Sequence, residues 1–64
     1  MENNSFELDL FYKHKGKVLK TIHNEEIILT NLKIDHRVQK IFFVVKYVID
    51  NNYGYLDKNT ILFN

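Results

Sequence analysis

Residues 38–49 read Val38-Gln39-Lys40-Ile41-Phe42-Phe43-Val44-Val45-Lys46-Tyr47-Val48-Ile49, and the way this run folds decides the architecture of the whole chain. Apolar side chains fill almost every position. At 100° per residue, Val38, Ile41, Phe42, Val45, Val48 and Ile49 form one helical face, with Phe43, Val44 and Tyr47 outside it beside Lys40. The run is long for an ordinary strand. Asp35 stands where an N-cap carboxylate would accept a hydrogen bond from a first-turn amide. Asn51-Asn52-Tyr53-Gly54 supplies a stop, with Gly54 able to take the left-handed conformation that closes helices. These signals predict a helix from Asp35 to Gly54. Its β-branched residues lower intrinsic propensity, so packing rather than propensity would hold it.

On the N-terminal side, SFELDLFY at residues 5–12 alternates, with Phe6, Leu8, Leu10 and Tyr12 on one side and Glu7, Asp9 and Phe11 on the other. That period of two predicts a half-buried strand. The polar run from Lys13 to Lys17 supplies a turn through Gly16, and Val18 to His23 reads as the returning strand. Asn24-Glu25-Glu26 is a second turn. IILTNLKI at residues 27–34 is rich in β-branched residues and reads more as strand than helix. After the helix, Tyr55 to Thr60 is turn-like, and ILF at 61–63 can add a short last strand. The expected fold is therefore α+β, in one small domain over residues 1–64. It is an antiparallel three-stranded meander, four-stranded if the last segment pairs, with one long amphipathic helix packed on one face.

A domain of this length buries only about 60% of the surface its unfolded chain exposes. With no cysteine, neither disulfides nor thiolate zinc sites can reinforce it, so association with another chain gains weight. The start MENNSFELDL has Glu2 where a secretory leader carries Lys or Arg, and no apolar run approaches the length of a membrane span. A cytoplasmic protein is expected, and the sequon Asn3-Asn4-Ser5 then has no glycosylation meaning. The composition favours Asn, Lys and Ile, has eight Lys against the single Arg37, and lacks Ala and Pro. Those preferences track AT-rich codons and suggest a low-GC bacterium, or a phage or mobile element living in one. A net charge of +1 is neither that of an acidic nucleic-acid mimic nor that of a strongly basic nucleic-acid binder.

Catalytic signals are sparse. His14, His23 and His36 share no spacing that would bring two of them onto one face, so no metal site and no cofactor are expected. Asp9, Glu25, Glu26, Asp35, Asp50 and Asp57 are scattered among turns and element ends, whereas acid–base chemistry needs two carboxyls converging in a pocket. The chain reads as non-enzymatic.

Two candidate surfaces remain. Phe43 and Tyr47, four residues apart, would be neighbours on the outer stripe of the helix together with Val44 and Lys40, with Tyr53 and Tyr55 close by. Aromatic anchors of this kind dominate protein interfaces. The expected function is a protein-interaction module that dimerises or occupies a host protein through Phe43, Val44, Tyr47, Lys40 and Tyr53, and so modulates or inhibits it. The alternative at these positions is burial, if the sheet curls or the C-terminal segment folds back. The binding surface would then pass to Phe11 and the outward face of the sheet. The second candidate is Lys13, Lys15, Lys17 and Lys20, a positive run suited to phosphate contacts and hence to a small nucleic-acid-binding regulator. The near absence of Arg argues against base-specific recognition.

Overall fold

Lys40–Tyr47 is a strand, not the middle of a helix. In the computed structural model, which describes residues 5–63, the chain runs α1 (Ser5–His14), β1 (Val18–Thr21), β2 (Glu26–Asp35), β3 (Lys40–Tyr47), β4 (Tyr53–Leu56) and β5 (Ile61–Leu62). Glu2 and the Asn3-Asn4 part of the sequon lie outside the described residues. The strands form one antiparallel sheet in the order β4-β3-β2-β1-β5, so a four-stranded meander is closed by a last strand that returns beside the first. The α+β expectation holds at that level. The sheet has five strands rather than three or four, and its helix is short and N-terminal.

The reading of residues 35–54 as a helix fails because β3 is apolar on both faces. Ile41, Phe43 and Val45 are buried, while Phe42, Val44 and Lys46 between them are half-buried. A strand of that kind loses the alternation that normally separates it from a helix. The run also looked too long because it contains the residues of two hairpin turns, each closed by a non-glycine residue at positive φ. These are Gln39 at 54° and Asn51 at 62°. Asp35 does cap an amide, but in the β2–β3 turn, where the Arg37 amide donates to its carboxylate at 3.1 Å. In the β3–β4 turn the Asn51 amide donates to the Tyr47 carbonyl at 2.8 Å, and the Tyr47 amide donates to the Asn52 carbonyl at 2.7 Å. Gly54 sits inside β4 and ends nothing.

The strand expected over residues 5–12 is α1. Its inward residues are Glu7, Leu10, Phe11 and His14, a helical spacing, whereas Phe6, Leu8 and Tyr12 remain exposed. Three of the four alternating apolar residues therefore lie away from the core and only Leu10 reaches it, so tertiary packing overrides the local pattern. Glu7 forms an ion pair with Lys58 at 3.2 Å, which ties the first turn of the helix to the β4–β5 connection. At the other end Gly16, at φ 80°, reverses the chain into β1 as expected of it.

Strand β2 carries a bulge. The register with β3 shifts between Leu29 and Asn31, and the Thr30 hydroxyl donates to the Val44 carbonyl at 2.8 Å. One extra residue moves every later side chain to the opposite face. Ile27 and Leu29 before the bulge, and Leu32 and Ile34 after it, thereby share one face opposite Tyr47, Val45, Phe43 and Ile41. That inner face, with Leu19, Ile61 and Phe11 of the helix, is the core. Phe63, just past β5, packs its ring 5.4 Å from Phe43 and 5.2 Å from His14, so the C-terminal segment does fold back over the centre of β3. Thr21, the one buried polar residue among those described, accepts the His23 and Glu25 amides at 3.1 and 3.3 Å and organises the β1–β2 turn with Asn24 at positive φ.

Phe43 is fully buried, so Phe43→Ala is expected to cost about 3–5 kcal/mol and to lower the Tm by more than about 10 °C in thermal melts followed by circular dichroism. Gln39→Gly relieves a left-handed residue in the β2–β3 turn at some cost in unfolded-state entropy. It should raise stability by no more than about 1 kcal/mol in urea titration.

Candidate functional site

One helix covers the inner face, and no described element covers the other. The register identifies what that outer face presents. The pairs Val18↔Ile28, Lys20↔Leu62, Lys33↔Phe42, Val44↔Tyr55 and Lys46↔Tyr53 all lie on it, because successive side chains alternate across a strand. Val18, Leu62, Tyr53 and Tyr55 are exposed, the two tyrosines at 65% and 61%. Ile28, Phe42 and Val44 are half-buried between them. Two shallow depressions mark the face, one around Val44, Tyr53, Gly54 and Tyr55, the other around Val18, Lys20 and Leu62.

The charges on this face are Lys20, Lys33, Lys40 and Lys46 against Glu26 and Asp35, an excess of positive charge on a chain that is nearly neutral overall. Two of the lysines rest on aromatic rings. The Lys33 ammonium lies 5.9 Å from the centre of the Tyr55 ring, and that of Lys40 lies 5.9 Å from the Phe42 ring. A cation over a ring face keeps its charge available while its stem covers apolar surface.

The five residues expected to touch a partner are divided by the fold. Val44, Lys40 and Tyr53 stand on the outer face. Phe43 does not, since its exposure is 0% and it lies at the centre of the core, out of reach of any partner in the folded chain. Tyr47 also faces inward, half-buried, with its ring over Gly54, where an added Cβ would come within 3.0 Å of Cε2. Residues 43 and 47 share a side, as they would on a helix, but in the strand that side is the core. Phe11 is likewise buried. Phe42, Tyr55 and Lys33 complete the outer face. A period of two from Lys40 to Tyr47 would have found Phe42.

The four lysines expected on a hairpin are also separated. Lys13 is in the last turn of α1, Lys15 and Lys17 are in the connection to β1, and Lys20 is on the outer face. The Lys15 ammonium sits 5.8 Å from the Phe11 ring, and that of Lys20 donates to Asn24 Oδ1 at 3.1 Å. Among the described residues no three His, Cys, Asp or Glu side chains come together, and no helix is long and apolar enough to cross a membrane. No family model, no curated protein and no solved structure matches this chain, so the site is read from its own geometry.

Tyr53→Ala and Tyr55→Ala remove exposed side chains from an edge strand and should each change stability by less than about 0.5 kcal/mol in urea titration, in contrast to Phe43→Ala.

Proposed function

We propose that this protein is a non-enzymatic interaction module of the cytoplasm that docks another protein on the outer face of its sheet. The observation that carries the reading is the aromatic and aliphatic surface, uncovered by any described element, that spans all five strands and is richest in aromatic rings toward the β4 edge, at Val44, Tyr53 and Tyr55. Its occupant is a protein surface with an apolar centre and acidic rim, a complement to Lys20, Lys33, Lys40 and Lys46. With four lysines against two carboxylates the face carries a net positive charge, which disfavours laying two copies of it together. The Asn-, Lys- and Ile-rich composition fits a low-GC bacterium or a phage or mobile element living in one, and in the latter setting docking would modulate or inhibit a host protein by covering the surface it needs.

A second reading has one specific observation behind it. Aromatic rings interleaved with lysines on an open antiparallel sheet are also the chemistry that stacks bases and contacts phosphates in single-stranded nucleic acid. The lysines would then act without base discrimination.

Affinity capture from a low-GC bacterial lysate with identification by mass spectrometry, followed by titration of the purified captured protein, separates the two. Tyr53→Ala with Tyr55→Ala should weaken that binding by roughly thirtyfold, corresponding to about 2 kcal/mol, with the Tm unchanged. Unchanged affinity would remove the outer face from the interaction. Capture that nuclease treatment abolishes, together with binding to an oligothymidylate that falls steeply with salt, would move the assignment to nucleic acid.

A further inference from the structure

Strand β2 outruns its neighbour. β1 pairs with it only as far as Val18↔Ile28, whereas β3 stays alongside to Asp35↔Lys40. From Asn31 to Asp35, the side of β2 away from β3 therefore has no strand beside it among the described residues.

The ladder shows which backbone groups face that open side. The Val48 amide donates to the Glu26 carbonyl at 3.0 Å, so Glu26 faces β3, and the bulge at Thr30 shifts the alternation by one residue. Beyond it Asn31, Lys33 and Asp35 turn their backbone toward β3, while Leu32 and Ile34 turn theirs outward. The Leu32 amide is already occupied, donating to Asn31 Oδ1 at 2.8 Å. The Ile34 N–H and C=O are the next pair on that side of the strand, which no described strand takes up. Its side chain lies on the inner row yet is 49% exposed.

We propose that a second copy of this chain pairs here, β2 against β2 and antiparallel, about a twofold axis at Ile34. Each Ile34 then exchanges both backbone hydrogen bonds with its counterpart, and the two side chains cover one another. On the outer face Lys33 of each copy stands opposite Asp35 of the other, so the pairing places two opposite-charge pairs directly across the new ladder. The alternatives are worse. Centring the axis on Lys33 sets the two lysines face to face, and centring it on either Lys33 or Leu32 needs the amide that Asn31 holds. Hydrogen bonding and charge thus select one register. Because the axis is perpendicular to the sheet, the two outer faces would lie side by side on one surface, giving a bivalent form of the docking face proposed above.

Sedimentation equilibrium tests the pairing, run at roughly 0.5 mM because so short an edge gives a weak contact. The wild-type mass should approach that of two chains. Lys33→Asp alone and Asp35→Lys alone should each weaken association roughly tenfold or more, since each replaces two attractions by two repulsions. Mixed in equal amounts, these two variants should associate again, because their charges complement each other. A wild-type chain that stays monomeric, or a dimer indifferent to both changes, would overturn the proposal. Asp35→Lys also removes the carboxylate that accepts the Arg37 amide. Should that variant unfold, exchange of the Ile34 amide in the wild type decides instead. Protection that rises with protein concentration supports the pairing, and protection independent of concentration overturns it. Tyr53→Ala, which keeps the Tyr55 ring under the Lys33 ammonium, must leave the dimer intact. Loss of the dimer in that variant would place the contact on the outer face and refute the edge, whereas loss of partner binding alone would bear only on the docking reading.

Discussion

A ten-residue helix covers one face of a five-stranded sheet, and β3 is apolar on both. The inner set of Ile41, Phe43 and Val45 is buried under α1 and Phe63, and the contact of Phe63 with both Phe43 and His14 binds the C-terminal segment, the helix and the centre of the sheet into one unit. Among the described residues the outer set has no equivalent. Among the described residues, the other exposed apolar side chains lie in turns or on the helix rather than over this face: Ile22 and Val38 are in hairpin turns, and Ile49, at 93% exposure, is in another.

The bulge at Thr30 gives β2 both its core and its open edge. By shifting the alternation one residue it keeps Leu32 and Ile34 on the face that Ile27 and Leu29 began. The same shift turns the Leu32 and Ile34 backbone toward the side where β1 has already ended. Asn31 protects part of that edge with its own side chain, a local form of the blunting that exposed edges commonly carry.

Several elements were legible from the sequence. β1, β2 and the short β5 lie where β-branched runs and turn residues place them, and Gly16 reverses the chain as its freedom allows. The central run reads as a helix because its turns carry no glycine, Gln39 and Asn51 taking positive φ instead, so parts of two hairpin turns and a strand run together as one long apolar segment. α1 was misread because only Leu10 and Phe11 of its apolar residues reach the core, and the others happen to alternate. Of the expected contact residues, Val44, Lys40 and Tyr53 reach the outer face. Phe43 and Tyr47 do not, since a spacing of four shares a side in a strand as well as in a helix.

By itself the sequence determined the positions of three strands and the presence of more apolar surface in residues 38–49 than one contact can use. These depend on residue type and local spacing alone. Only the tertiary structure decided which apolar set is buried, because burial depends on where α1 and Phe63 land. It likewise decided that the open surface is a sheet face rather than a helix stripe, since a run apolar on both sides fits either period until non-local pairing with β2 and β4 selects the strand.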